Sequence, residues 1–188
     1  TTITSKNWEI ELPAMSAGGP YTLKFETESG ITKTFTNVMI GELWVISGQS
    51  NMQRNIRQVN STAQREEYLN IRYFDQAQGS SETALYDSAF ASDSTISGWT
   101  VATLANSYWY SATGYYIAKH LNLDENVPVG LLYAAVGGSA ATNWFSSNMV
   151  DNPNIDQKAK SYFSSAYTTA KGRMYNAMIH PLLSLDIG

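Results

Sequence analysis

Two uninterrupted apolar runs, each ending in a glycine-containing polar loop, constrain the fold more than any other feature of this chain. The first is Leu43-Trp44-Val45-Ile46, which passes into Ser47-Gly48-Gln49-Ser50-Asn51-Met52. The second is Val127 to Val136 (VPVGLLYAAV), which stops at Gly137-Gly138-Ser139. A strand with one wet face alternates polar and apolar residues, whereas a strand covered on both faces does not. These runs therefore predict a parallel sheet sandwiched between helical layers. Ile71 to Phe74 adds a shorter strand candidate. Helix-capable stretches lie between and after the strands: Gln53 to Leu69, Ser111 to His120 with Ser111 as cap, and Asn154 to Ala170. A short segment, Met174 to Leu183, follows the break at Gly172. Alternation of this kind argues for an α/β layered domain over residues 41–188. Residues 76–107, rich in Ser, Ala, Thr and Gly, show no period and read as a long surface excursion.

Residues 1–40 follow a different rule. Tyr21, Leu23 and Phe25 alternate with Thr22, Lys24 and Glu26, the period of a half-buried strand. Glu28-Ser29-Gly30 makes a turn, and Ile31 to Val38 returns as a second strand. Trp8 to Leu12 is a further strand candidate, ended by Pro13. So few strands seldom stand alone, which makes this region a lead-in resembling part of a β-sandwich.

Composition removes several functions. The 188 residues carry 12 Lys and Arg against 16 Asp and Glu, a formal net charge of −4, so a broad nucleic-acid-binding face has no electrostatic support. No apolar run approaches the ~18 residues of a membrane span. There is no cysteine, hence no thiolate nucleophile and no cysteine-held metal. Asp75, Asp87, Asp151 and Asp156 lack metal-ligand spacing and read as loop or cap carboxylates. Low charge (15%) with 12% aromatics suits an exported, secreted or periplasmic protein acting on carbohydrate.

The two loops offer the most chemistry. In open α/β sheets ligands bind beyond the carboxyl ends of the strands. A serine there exposes its hydroxyl, and adjoining backbone N–H groups can meet an oxyanion, which is the layout acyl transfer needs. Gly48-Gln49-Ser50-Asn51-Met52 is not the G-x-S-x-G elbow of an α/β-hydrolase, because Met52 stands where the last glycine belongs. From the residues alone Ser50 is either a nucleophile or a helix cap.

Residues 41–53 (GELWVISGQSNMQ) closely resemble the segment that carries the nucleophile in the sialate O-acetylesterase family, a branch of the SGNH hydrolases. Further matches come in the same order: WYSATGYYIAKHL (109–121), PVGLLYAAVGGSAATNW (128–144) and GRMYNAMIHPLL (172–183), the last with Ala177 where glycine is usual. ELPAMSAGGPYTL (11–23) resembles the family's β-rich lead-in. The resemblance implies a flavodoxin-like three-layer α/β sandwich and an esterase needing no cofactor or metal. It also implies roles. Ser50 is the nucleophile; its own N–H and that of Gly137, or Gly138, form the oxyanion hole. Gln49 and Asn51 support the loop or touch substrate. Trp144 is either a stacking wall for a sugar or a core aromatic beneath the loop. The substrate is an acetylated sialic acid or another acetylated sugar, with acetylxylan as the variant within the superfamily. A non-catalytic carbohydrate-binding or assembly fragment is the alternative from another class.

The base is the difficulty. The family supplies it from a D-x-x-H arrangement, and neither histidine here fits: Ile117 stands three before His120, and Ala177 three before His180. His120 reads as a helix-end residue that suits the C-terminal dipole. The family's following strand, roughly WYQGE-x-N, would begin after Gly188. The expectation is therefore that these residues are the front part of an enzyme. Its remaining C-terminal part would bring the histidine and aspartate, with Leu185 to Gly188 starting a buried strand. Arg54 and Arg57 are candidates for an anionic substrate or ordinary helix-surface charges. Tyr108-Trp109-Tyr110 and Tyr115-Tyr116 are a sugar platform or, at helical spacing, core.

Overall fold

The computed structural model describes residues 2–4, 7–59, 66–86, 98–146, 149, 152–158, 161, 172–183 and 185. Asp87 and Asp151 lie outside these residues, as do most of the helix expected over 154–170 and the end of the strand expected at 185–188. The chain divides into two units, Thr1–Gly41 and Glu42–Gly188.

The first unit contains two antiparallel ribbons. β1 (Thr2–Thr4) pairs with β2 (Asn7–Glu9), and β3 (Gly18–Glu26) with β4 (Thr32–Ile40). β2 stops at Glu9, which pairs with Thr2, short of the expected Leu12. Between β3 and β4, Gly30 takes a positive φ of 82° and donates its N–H to the Thr27 carbonyl, which closes the turn. Phe25 and Phe35 meet edge to face on one side of the ribbon, with centroids 5.9 Å apart.

The second unit is a mixed α/β domain. Along the chain come β5 (Glu42–Gly48), α1 (Ser50–Gln53), α2 (Ile56–Val59), β6 (Tyr68–Asp75), β7 (Trp99–Ala102), α3 (Ala112–Glu125) and β8 (Val129–Ala135). The four strands form one sheet in the order β5-β8-β6-β7. β8 runs parallel to both neighbours, while β7 closes the edge antiparallel to β6. Seven pairs from Glu42↔Val129 to Gly48↔Ala135 fix the register of β5 on β8. The two apolar runs therefore end side by side.

Strand alternation sorts the core into two layers. On one face Ile46, Ile71, Tyr73, Val129, Leu131, Tyr133 and Ala135 pack with Tyr110, Ala112, Tyr115 and Ala118. On the other, Phe74, Leu132 and Ala134 pack with Ala177, Met178 and Leu182. α3 begins where expected: the Ser111 hydroxyl accepts the Gly114 N–H at 3.3 Å. It lies close on β5, since a Cβ on Gly114 would stand 3.0 Å from Ile46. It also runs further than expected and ends where Asn126 turns left-handed (φ 53°). His120 is consequently not a helix-end residue but an exposed position more than a turn inside α3.

Two other expectations change. The helix predicted over 53–69 is broken at Arg54: its carbonyl accepts the Ala112 N–H at 2.9 Å, and Asn55 forms a bridge with Ser111. Residues 68 and 69 belong to β6, where Tyr68 is buried opposite Ala102. Long-range pairing wins over helical propensity there. The excursion at 76–107 contains β7 and a 3-10 turn at Ser107–Trp109. The segment after Gly172 is a π-helical turn, Tyr175–Ile179, running into a 3-10 turn, His180–Leu182.

Candidate active site

The carboxyl ends of β5 and β8 place the two loops next to each other. Val136 N–H donates to the Gly48 carbonyl at 3.0 Å, extending the ladder by one step past the strands. Beyond it, Gly48 (φ 142°) turns the chain into α1, and Gly138 (φ 76°) turns the second loop. A Cβ built on Gly137 would stand 3.9 Å from the Ser50 Cα, so the residues from the two motifs are neighbours. Sequence separation of almost ninety positions is closed by one strand pairing.

Ser50 is half-buried at the first position of α1. Gln49 holds it twice: Oε1 of Gln49 accepts the Ser50 N–H at 3.1 Å and the Ser50 hydroxyl at 2.9 Å. An amide oxygen fixes the hydroxyl's direction but cannot take its proton at neutral pH. The short helix is otherwise closed by Gln53 N–H to the Gln49 carbonyl and Arg54 N–H to the Ser50 carbonyl. Asn51 is exposed, and its carbonyl accepts the Thr113 hydroxyl at 3.4 Å.

Gly137 is exposed, and its N–H donates to Oε1 of Gln53 at 2.7 Å. Gln53 is a residue that sequence reasoning missed. Its partner lies 84 positions away, and no local pattern marks such a bond. Gly138 is exposed, with open space where a Cβ would point. The turn is held independently: the Ser139 hydroxyl donates to the Val136 carbonyl at 2.6 Å and accepts Nε1 of Trp144 at 2.9 Å. Trp144 is half-buried and packs against the Phe74–Leu132–Met178 layer.

The remaining candidates have other surroundings. His180 is tied by Nδ1 to the Leu85 carbonyl at 2.8 Å and meets Tyr86 and Tyr175 edge-on. His120 lies seven residues along α3 from Thr113, about 10 Å at the rise of an α-helix. Arg57 places its guanidinium 5.3 Å from the Trp109 ring centre, a surface cation–π contact, and Arg54 is exposed. Tyr110 and Tyr115 are core residues, Tyr108 is half-buried, and Trp109 and Tyr116 are exposed. Among the described residues no group of three His, Asp or Glu side chains is placed to hold a metal ion.

The chain matches no known family model. It is 27% identical over 193 residues to the sialate O-acetylesterases of Homo sapiens and Pongo abelii, covering 97% of this chain and 37% of each relative. The Mus musculus sialate O-acetylesterase matches at 27% over 220 residues. Among solved structures, a carbohydrate acetylesterase from Xanthomonas citri superposes with a TM-score of 0.74 at 27% identity, over 96% of this chain and 38% of that one. This chain is similar to the sialate O-acetylesterases. It spans about two fifths of the length of the relatives it matches.

Proposed function

We propose that this chain carries the nucleophile of a carbohydrate O-acetylesterase of the sialate O-acetylesterase type, built on a flavodoxin-like SGNH fold. The supporting observation is the meeting of Ser50 and Gly137 at the carboxyl ends of adjacent parallel strands. Ser50 Oγ attacks the acetyl carbon of an acetylated sialic acid or related sugar, and its proton leaves to a general base. The tetrahedral oxyanion is met by backbone N–H groups of Ser50 and Gly137, which exchange their resting acceptors, Oε1 of Gln49 and of Gln53, for it, with Gly138 beside them. One such donor is worth roughly 10²–10³ in rate. Collapse expels the sugar alcohol, which takes up a proton, and water then releases acetate from Ser50. Gln49 aims the hydroxyl, Asn51 borders the site, and Trp144 braces the Gly137 loop through Ser139. No cofactor enters these steps.

Neither histidine stands in the D-x-x-H arrangement, with Ile117 three before His120 and Ala177 three before His180. This reading assigns the base and its orienting acid to the remaining C-terminal part of the enzyme. Residues 1–40 and 41–188 act as lead-in and nucleophile-bearing part respectively. The test compares release of acetate from O-acetylated sialic acid and from an aryl acetate by the intact protein and its Ser50→Ala variant. A loss of three or more orders of magnitude is expected. Equal rates would remove the esterase reading in favour of a non-catalytic carbohydrate-binding role.

A further inference from the structure

Gly137 stands beside Ser50, and its N–H donates to Gln53 Oε1 at 2.7 Å. A Cβ on Gly137 would sit 2.2 Å from this same oxygen, so the glutamine carbonyl fills the space directly against the glycine. One N–H makes one strong bond, and Gln53 and an acyl oxygen cannot both have it. The loop does not depend on Gln53 for its shape. Ser139, Val136 and Trp144 fix it from the other side, and Gly138 supplies the left-handed turn. Gln53 is half-buried at the end of α1, one residue before the backbone leaves the helix at Arg54. Its side chain can therefore rotate away without unfolding a longer element.

We propose that Gln53 is a latch on the acyl-oxygen pocket: its side-chain carbonyl stands in for the oxyanion at Gly137 and must swing off before substrate oxygen can bind there. This rests on the esterase reading above, through the role of Gly137. Gln53 acts through Gly137 and is a positioning residue, not a catalytic one. The latch taxes affinity for any ligand that needs the amide, by the fraction of time the amide is covered. It also keeps a polar amide satisfied when the site is empty.

The experiment titrates methylboronic acid into the full chain and follows the Gly137 amide by nuclear magnetic resonance. Boron accepts a lone pair from Ser50 Oγ, one B–O bond forms, and the serine proton passes to solvent. The tetrahedral anion keeps both hydroxyls and its methyl group, one hydroxyl oxygen facing Gly137. Gln53→Met, which keeps side-chain length but has no strong acceptor, is expected to bind about fivefold more tightly than the unsubstituted chain, the net worth of a neutral hydrogen bond. Its Gly137 amide should exchange with solvent faster when no ligand is present. Gln53→Glu should bind at least tenfold more weakly, since a carboxylate accepts the amide more strongly and repels the anion. Equal or weaker binding by Gln53→Met, with binding still dependent on Ser50, overturns the latch alone. Boronate that binds Ser50→Ala as well as the unsubstituted chain, or shows no Ser50-dependent binding in any form, overturns the esterase reading and the latch with it.

Discussion

The two faces of the four-stranded sheet solve the same packing problem with different chemistry. The face under α3 is built around a column of buried tyrosines. Tyr73 stacks on Tyr110 with centroids 4.1 Å apart and planes 5° from parallel, and Tyr133 follows at 5.6 Å. Their hydroxyls are anchored where partners are shown: Tyr73 accepts the Ser111 N–H, and Tyr110 lies 2.7 Å from the Thr100 hydroxyl and donates to the Val101 carbonyl. The opposite face is mainly aliphatic among the described residues, with Leu132, Ala134, Ala177, Met178 and Leu182 around Phe74 and a half-buried Trp144 packed against them. It is closed by single helical turns near the chain's end. A polar handle on a large ring fixes orientation as well as burying area. The tyrosine face therefore anchors α3 and the segment before it through ring hydroxyls, while the turns over the second face are tied by backbone carbonyls, which Gln76 and Asn176 meet with their side-chain amides.

Truncation should expose this asymmetry most strongly. Tyr73→Ala removes the middle ring of the column and strands the Ser111 N–H, and a cost of about 3–5 kcal/mol follows from large-to-small core changes. Met178→Ala on the other face should cost less, about 2–3 kcal/mol, because a flexible thioether leaves a site that collapses more easily. Urea midpoints of the two variants measure the difference. A larger loss for Met178→Ala would mean that the aliphatic layer, not the tyrosines, carries the domain.

Alkali should separate the faces without mutation. Burial holds the Tyr110 hydroxyl up at about 12, and pushes Tyr73 and Tyr133 upward as well, the last two also through the charge of Asp75. An unfolded tyrosine ionises near pH 10, so between that value and the folded values the unfolded chain holds fewer protons than the native one. Stability is then fully present below about pH 10 and falls above it, by up to about 1.4 kcal/mol per pH unit for each such tyrosine. Tyr110→Phe should make the decline shallower, read from unfolding midpoints between pH 9 and pH 11.5. A slope unchanged by that substitution would remove Tyr110 from the account.

How far the sequence reveals this depends on whether the information is local. The two apolar runs announce β5 and β8, and Ser111 announces the start of α3, because period, run length and capping are local properties. The meeting of the Ser50 and Gly137 loops then follows from parallel pairing of those runs. Other features depend on distant partners. Arg54 leaves the helix because its carbonyl serves Ala112, Tyr68 becomes strand because Ala102 lies opposite, and Gln53 reaches Gly137 across 84 positions. β7 is only four residues long and sits beside a Ser- and Ala-rich stretch, so its own composition barely marks it. Tyr110 and Tyr115 are core while Trp109 and Tyr116 are exposed, a sorting set by which ring meets β6 and not by aromatic content.

The smallest expected effect lies at the rim of the tyrosine face, where its polar handles reach solvent. The Tyr68 hydroxyl donates to the Glu66 carboxylate, and Lys119 lies 3.7 Å from the same carboxylate and 5.4 Å from the Tyr68 ring centre. The Tyr68 hydrogen bond, and then the charge of Lys119, hold the Glu66 carboxyl below its ordinary range. A lowered carboxyl stabilises the fold above its unfolded value and loses that contribution as pH falls through the folded one. Glu66 is exposed, so the effect is small and salt-sensitive. Glu66→Gln should therefore lower the urea midpoint slightly at pH 7 in dilute buffer, and the gap should narrow as acid protonates the native carboxyl. A gap that persists undiminished in acid would assign the contribution to side-chain packing instead of charge. The rim would then hold by packing, as the aliphatic side chains of the opposite face do.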